Sequence, residues 1–160
     1  MKTIEFPKPV PDLKAYNKKL NAGFQKYPER YENFLKYKKS SKCAKIDYMP
    51  IKLDIENVSR CNLRCEMCQV SSWESFKRGA DMTLEDFKGI IDEQYGVYEL
   101  KIQGMGEPFL GQDFIKMGEY ASSKDIWVRT STNATILDKK ENYKRIINAG
   151  IDEVQISVDG

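Results

Sequence analysis

The 160-residue sequence contains no histidine. This absence excludes Ser-His-Asp and Cys-His catalysis, zinc proteases of the His-Glu-x-x-His type and every metal site that needs an imidazole ligand. The sequence also lacks an apolar run of the roughly 18 residues that would span a bilayer. Its first residues do not form the apolar segment of a signal peptide. We therefore expect a cytoplasmic protein in which any bound metal is held by cysteine or carboxylate.

Cysteine is scarce, with four residues in the chain. Cys61, Cys65 and Cys68 fall close together, and Cys43 stands apart from them. A disulfide framework is typical of small secreted chains, and nothing in the sequence indicates secretion. In a reducing compartment, three thiols this close together predict a metal site.

The N-terminal part differs in charge from the rest of the chain. Residues 1–45 carry twelve Lys and Arg against four Asp and Glu, whereas residues 46–160 carry fourteen against twenty. Two helical patterns, over 12–26 and 28–40, place Tyr27, Tyr31 and Phe34 on one face. We interpret residues 1–48 as a basic helical extension that packs on the main domain through this face. The alternative is an arm that binds nucleic acid or another acidic partner.

Residues 49–160 predict an α/β domain with a parallel sheet, because short β-type runs alternate with helical ones. The predicted strands are 51–58, 98–104, 126–132 and 153–159, and the predicted helices between them are 83–94, 112–124 and 138–149. Thr83 followed by Asp86 resembles a capping box, and Gly150 ends the last helix.

The predicted strands alternate between apolar and polar residues, whereas strands covered on both faces are usually apolar throughout. A curled sheet with helices outside and a polar cavity inside explains the alternation, as does an exposed face of an incomplete sheet. We expect a partial TIM-like (βα) barrel with four strands. In such barrels the chemistry lies at the carboxyl ends of the strands.

The three clustered cysteines follow the first predicted strand as Cys61-Asn-Leu-Arg-Cys65-Glu-Met-Cys68. Three thiolates on one loop can hold three irons of a [4Fe-4S] cube, which leaves the fourth iron open to a small molecule. One alternative is a structural zinc site completed by Cys43 or a carboxylate. Another is a closed four-cysteine cluster that uses Cys43 and serves in electron transfer.

This loop resembles the CxxxCxxC signature of the radical S-adenosylmethionine (SAM) enzymes. The resemblance implies a (βα)6 barrel in which the open iron is chelated by SAM. It also implies reductive cleavage of SAM to methionine and a 5'-deoxyadenosyl radical that abstracts hydrogen from a substrate. By this resemblance Cys61, Cys65 and Cys68 ligate the cluster, and Met67 lies near the adenine.

A second motif, Gly104-Met-Gly106-Glu107-Pro108, ends the second predicted strand. Glycines let the backbone approach a ligand closely, and the carboxylate can receive an ammonium group. A dinucleotide fingerprint is excluded because Phe109 stands where its third glycine should be. The motif resembles the family's GGEP sequence, which binds the SAM amino group, with Met105 separating the two glycines.

Small polar residues end the third and fourth predicted strands. They can simply cap the helices that follow. By the resemblance they contact the carboxylate and ribose of SAM, and the candidates are Ser131, Asn133, Ser157 and Asp159. Weaker candidates for substrate or SAM contacts face the cavity, namely Glu56, Gln103, Arg129 and Gln155.

The resemblance covers residues 50–160 and four of the family's six strands. We therefore expect either a piece of a longer enzyme or a half-barrel that needs a partner chain. The Cys loop and residues 82–87 resemble the subgroup that modifies peptides and sugars and often carries auxiliary clusters in SPASM or twitch domains. The resemblance also implies a flavodoxin or ferredoxin as reductant. The competing functions are a non-catalytic iron–sulfur or zinc protein and a basic interaction module.

Overall fold

A computed structural model describes residues 12–40, 45–74 and 78–158. Its centre is a four-stranded sheet in the order β1-β2-β3-β4, with every neighbouring pair parallel. The strands are β1 Lys52–Ile55, β2 Glu99–Ile102, β3 Trp127–Thr132 and β4 Glu153–Ile156. The predicted α/β class, with four parallel strands in chain order, is confirmed.

Three strands stop several residues before their predicted ends, because the chain leaves the sheet to build loops. At the end of β1, the Ile55 carbonyl still accepts a hydrogen bond from the Gln103 amide at 2.9 Å. The next residue but one, Asn57, is buried, and its side chain donates to the Pro108 carbonyl at 2.9 Å instead of extending the strand. Polar residues at strand ends therefore serve loop contacts, which the alternating pattern does not distinguish from sheet.

Helices connect the strands along one face of the sheet. The helices after β1 are α3 Gln69–Ser72 and α4 Leu84–Glu93, α5 Phe114–Ser123 follows β2, and α6 Asn142–Asn148 follows β3. The Thr83 hydroxyl accepts from the Asp86 amide at 3.1 Å, which confirms the predicted cap of α4. Gly150 has φ +70°, and an added Cβ would lie 2.4 Å from the Ser122 hydroxyl oxygen, so glycine is needed where the chain turns after α6.

Helix α6 begins later than predicted. Residues Lys139–Glu141 form a short 3-10 turn in which Lys140 and Glu141 have φ near +53° and +54°. These left-handed conformations interrupt the helical path, because an α-helix needs negative φ throughout. The pattern over 138–149 therefore contains a turn followed by a shorter helix.

The main core lies between the sheet and the helices α4, α5 and α6. Its fully buried members include Leu100, Ile102 and Val128 from the strands, and Phe87 and Phe114 from the helices. Burying one such side chain contributes about 1.5–3 kcal/mol. The core thus fixes one face of the sheet and leaves the other face for polar residues.

The helices α1 Leu13–Lys26 and α2 Pro28–Lys39 cover the end of the sheet at which β2 and β3 begin. Tyr16 packs edge-on against Trp127 with 5.2 Å between ring centroids, and Phe24 and Phe34 contact Tyr98 in the same manner. Buried polar side chains anchor α2 as well, since Asn33 donates to the Met49 carbonyl at 3.0 Å and accepts from the Met49 amide at 2.7 Å. These contacts favour packing over an open nucleic-acid arm.

The docking face of α2 agrees with the predicted one in part. Tyr31 is 45% exposed and its ring contacts Phe24, while the half-buried Tyr27 lies against the Arg30 guanidinium. Phe34 of the predicted aromatic stripe contacts Tyr98, the residue before β2. The division of the chain at residue 48 stays a prediction.

No helix among the described residues is long and apolar enough to cross a membrane.

Candidate functional site

The cysteine loop leaves the sheet directly after β1. Cys61, Cys65 and Cys68 are all thiols and all partly exposed. The backbone is folded into a tight turn, in which the Cys68 amide donates to the Cys65 carbonyl at 3.0 Å. The Ser71 hydroxyl donates to the same carbonyl at 2.8 Å. The three closely spaced cysteines therefore lie on one compact loop, as predicted. Cys43 lies outside the described residues.

The second motif packs on the segment that leads into this loop. The Glu107 amide donates to the Arg60 carbonyl at 2.9 Å. A Cβ added at Gly106 would lie 2.2 Å from the Val58 carbonyl oxygen and 2.6 Å from that of Arg60. A side-chain carbon cannot make contacts this short. Gly106 therefore allows its own loop to approach the segment that contains Val58 and Arg60, in addition to any close approach of a ligand.

The carboxylate of Glu107 is directed into the protein. Glu107 is 2% exposed, and its two oxygens accept from the Thr132 hydroxyl at 2.7 Å and from the Asn133 amide at 2.9 Å. An ionised carboxylate can accept about four hydrogen bonds, so these two donors leave acceptor capacity on both oxygens. The carboxylate joins the loop after β2 to the end of β3, and its expected role in receiving the SAM amino group stays a prediction.

Asn133 completes the connection to the cysteine loop. Its side-chain amide donates to Cys61 Sγ at 3.6 Å and to the Asn62 side-chain oxygen at 3.0 Å. Its own oxygen accepts from the Thr135 hydroxyl at 2.6 Å, and the Asn62 side chain donates to that hydroxyl at 2.7 Å. Because of this network, the loops that follow β1 and β3 lie side by side at the carboxyl edge of the sheet.

A second carboxylate lies on the polar face beside the glycine motif. Glu56 Oε1 accepts from the Met105 amide at 2.6 Å, and a Cβ on Gly104 would lie 2.3 Å from the same oxygen. Gly104 thus leaves room for the Glu56 carboxylate in this position, and Met105 between the glycines donates its amide to that carboxylate. Gln103 on the same face has a buried side-chain oxygen without a hydrogen-bond partner in the described part of the structure.

The remaining predicted site residues lie outside the Asn133 hydrogen-bond network. The Ser131 hydroxyl donates to the Gln155 side chain at 3.3 Å on the polar face, and Pro108 is buried at the start of a short 3-10 turn. Ser157 is exposed beyond β4, and Met67 is 87% exposed. Asp159 lies outside the described residues.

Three residues that hold the site together were missed by sequence reasoning. Arg60 pairs with Asp81 and donates to the Leu110 carbonyl at 2.5 Å. Asn57 and Thr132 tie the glycine motif to β1 and β3, as described above. The sequence could have indicated these residues only by their positions at or after the end of a strand. Polar residues are common at such positions in proteins without a functional site there.

The polar face carries a row of charges across all four strands. Glu99 is 8% exposed and binds Lys52 at 2.6 Å, Arg129 at 3.3 Å and the Tyr16 hydroxyl at 3.1 Å. Arg129 in turn binds Glu153 at 2.8 Å. Burial acts to raise the pKa of Glu99, but the Lys52 ammonium, with Tyr16 and Arg129, outweighs it and holds this pKa below its usual value. Burial and the Glu99 charge raise the pKa of Tyr16.

Residues 56–160 match the Radical SAM superfamily, which is more than half of the chain. The chain belongs to this superfamily. Its members are enzymes that use a [4Fe-4S] cluster and SAM, so the cofactors expected from the cysteine loop are those of the superfamily. Membership does not favour the alternative of a non-catalytic metal protein.

Curated relatives match about two thirds of this radical SAM chain. A tungsten-containing aldehyde ferredoxin oxidoreductase cofactor-modifying protein of Pyrococcus furiosus is 36% identical over 110 residues, which are 67% of this chain and 30% of that protein. The mycofactocin maturase MftC of Mycolicibacterium smegmatis is 34% identical over 113 residues, or 69% of this chain and 28% of that protein. The chain thus spans less than a third of the length of these two relatives.

A solved structure shows the same fold. The crystal structure of BtrN in complex with AdoMet and 2-DOIA aligns with a TM-score of 0.58 and 18% identity. The alignment covers 69% of this chain and 46% of BtrN. The partial (βα) barrel expected for the radical SAM chain is therefore confirmed as its fold.

The residues of the radical SAM loop fit an iron–sulfur cluster by their donor chemistry. Three thiols on one partly exposed turn are the ligand type that iron–sulfur clusters use. Among residues 12–40, 45–74 and 78–158, no three His, Cys, Asp or Glu side chains are already grouped as a metal site. The fit thus rests on the number and spacing of the thiols.

Proposed function

We propose that this chain forms the N-terminal part of a radical SAM enzyme, with Cys61, Cys65 and Cys68 as ligands of three irons of a [4Fe-4S] cluster. The observation that supports this most is the Asn133 bridge, because it brings the end of β3 to Cys61 at 3.6 Å. The thiols and the strand ends therefore share one edge of the sheet. When bound, the cluster supplies one electron for cleavage of SAM to methionine and a 5'-deoxyadenosyl radical that abstracts hydrogen from a substrate.

The chain's own residues would hold SAM at this edge. We assign to Gly104 and Gly106 the backbone that would line the SAM site beside the cysteine loop. The Pro108 carbonyl accepts a hydrogen bond from the Asn57 side chain, which holds this backbone in place. Glu107 holds Thr132 and Asn133 in position by accepting hydrogen bonds from the Thr132 hydroxyl and the Asn133 amide. The proposed direct contacts from the strand ends are Ser131, Asn133, Ser157 and Asp159, with Met67 on the exposed side of the loop.

The substrate would lie on the polar face of the sheet, near the same edge. Glu56 and the unpartnered oxygen of Gln103 are polar groups there, and unsatisfied buried polar atoms are costly unless a ligand or water reaches them. A peptide or a sugar, as expected from the resemblance, offers the hydrogen-bond donors that these oxygens need. A flavodoxin or ferredoxin would supply the electron.

Electron paramagnetic resonance (EPR) tests the proposal. The anaerobically reconstituted protein is reduced with dithionite and measured with and without SAM. We expect a [4Fe-4S]+ signal that changes shape when SAM is added, because SAM would bind the open iron. Cys61→Ala, Cys65→Ala and Cys68→Ala should each abolish the signal.

Cys43→Ala is the matched control, since it removes a thiol outside the loop. It should leave both the signal and the SAM response unchanged. If SAM changes the EPR signal of Cys43→Ala but not that of the wild type, Cys43 would be the ligand of the fourth iron. A wild-type protein that binds no iron would overturn the proposed function.

A further inference from the structure

A cavity of about 450 Å³ is lined by residues next to the cysteine loop and on the helix side of the sheet. Asn62, which directly follows Cys61, is one of them. The other lining residues come from the turn after β2, the start of α5, the turn before α6 and α6 itself. The cavity therefore includes the residue next to the first proposed cluster ligand, and none of its lining residues is assigned above to SAM or substrate.

The rim of this cavity is basic. Lys139, Lys140 and Arg145 line it, and no acidic residue of the described chain is among its lining residues. The nearby Glu141 is paired with Lys144. Asn142 is buried and accepts from the Arg145 guanidinium at 2.8 Å, so it holds that side chain in place.

The cavity also has an apolar lining. It includes Phe109, Leu110 and Ile115, all partly exposed, together with Ile136. Apolar side chains beside exposed charged residues are the usual composition of a protein interface. A site for a small anion would instead direct buried charges inward, whereas Lys139 and Lys140 are exposed.

We propose that this basic cavity, lined by Asn62, Phe109, Ile136, Lys139, Lys140 and Arg145, is where an acidic one-electron carrier protein docks to reduce the cluster. The inference rests on the proposed function, since it assigns the cavity to the partner that the cysteine loop requires. Charge complementarity selects an acidic carrier and accelerates its encounter with the loop. Docking there places the carrier beside Asn62 and leaves the polar face free for substrate.

The test compares two double charge reversals, K139E/K140E at the rim and K14E/K18E on α1. Lys14 and Lys18 are exposed on the helix that packs at the other end of the sheet, and both variants change the net charge equally. A flavodoxin serves as the probe. Its binding to each protein is measured at low and high salt, a readout that does not need the cluster.

We expect K139E/K140E to weaken flavodoxin binding by about tenfold or more at low salt and to flatten its salt dependence. K14E/K18E should change binding less than threefold. In reconstituted protein, the rate of cluster reduction by reduced flavodoxin should fall by a similar factor in K139E/K140E. Reduction by dithionite, which needs no docking surface, should stay the same.

Equal losses in both variants, or no loss in K139E/K140E, would overturn the docking site. Inorganic phosphate that binds at the rim without competing with flavodoxin would show a small-anion site instead. A wild-type protein that binds flavodoxin through this rim but never forms a cluster would contradict the proposed function and leave the docking surface supported.

Discussion

The Thr132 hydroxyl donates a hydrogen bond to Glu107 at 2.7 Å, and both residues are 2% exposed. These two residues are 25 positions apart, with Glu107 in the loop after β2 and Thr132 at the end of β3. Because a buried carboxylate needs donors, the pair fixes the glycine motif against β3 before any ligand arrives. The stability of the ligand-free protein should therefore depend on this carboxylate.

Glu107→Gln tests that dependence. Glutamine is uncharged and has only one acceptor oxygen, so the two charge-assisted hydrogen bonds from the Thr132 hydroxyl and the Asn133 amide cannot both be kept. We expect the free energy of unfolding to fall by about 1–3 kcal/mol in the absence of cofactors. Urea unfolding followed by circular dichroism measures the change.

Glu93→Gln at the exposed end of α4 is the control and should stay within about 0.5 kcal/mol of the wild type. A Glu107→Gln protein as stable as the wild type would remove the structural role of the carboxylate. Direct contact with SAM would then be the better explanation of this residue.

Gly106→Ala should destabilise the protein by forcing two loops apart. The new Cβ would lie 2.2 Å from the Val58 carbonyl oxygen, which is backbone and cannot rotate away. Overpacking of this kind costs about 1–3 kcal/mol. Thermal unfolding measures the loss, and iron content after reconstitution reports whether the cysteine loop still binds metal.

Gly89→Ala is the matched control, because nothing lies within 4 Å of its added Cβ in helix α4. We expect it to stabilise the protein by about 0.5–1 kcal/mol, since alanine loses less backbone entropy than glycine in a helix. If Gly106→Ala were equally harmless, the close approach of the two loops would be disproved.

The sequence predicts those features of this fold that depend on neighbouring residues. The strand positions follow from alternation, and the cap at Thr83 and the turn at Gly150 follow from residue types with local conformational preferences. The direction of the Glu107 carboxylate could not be predicted, because it depends on Thr132 in a distant strand. The same holds for Arg60, whose partner Asp81 is 21 residues away.

The docking face of α2 was predicted only in part, for a related reason. Helical spacing places Tyr31 near Phe34, but it does not indicate where the sheet lies. The sheet offers Tyr98, and the rings of Phe24 and Phe34 reach it while Tyr31 stays 45% exposed. Packing between elements decides which side of an amphipathic helix is covered.

Glu99 should make the stability of the protein depend on pH. The pKa of Glu99 lies below its usual value, chiefly because Lys52, Tyr16 and Arg129 outweigh the effect of burial. A carboxyl group with a lowered pKa stabilises the folded state above its unfolded-state pKa, and this contribution is lost as the pH falls through the folded-state pKa. Glu99→Gln should therefore cost about 2 kcal/mol near pH 7.

The difference between wild type and Glu99→Gln should shrink as the pH falls below the ordinary pKa of a glutamate and through the lower folded-state pKa of Glu99, as the wild-type carboxyl becomes protonated. Urea unfolding at a series of pH values measures it. Glu85→Gln removes an exposed carboxylate that pairs with Lys88 along α4, so it should show a small and nearly constant difference.

A Glu99→Gln difference that does not change with pH would mean that the Lys52 and Arg129 pairs contribute no stability. In that case the contacts of Tyr16 with Trp127 and of Phe24 and Phe34 with Tyr98 would hold α1 and α2 on the sheet without help from the charges.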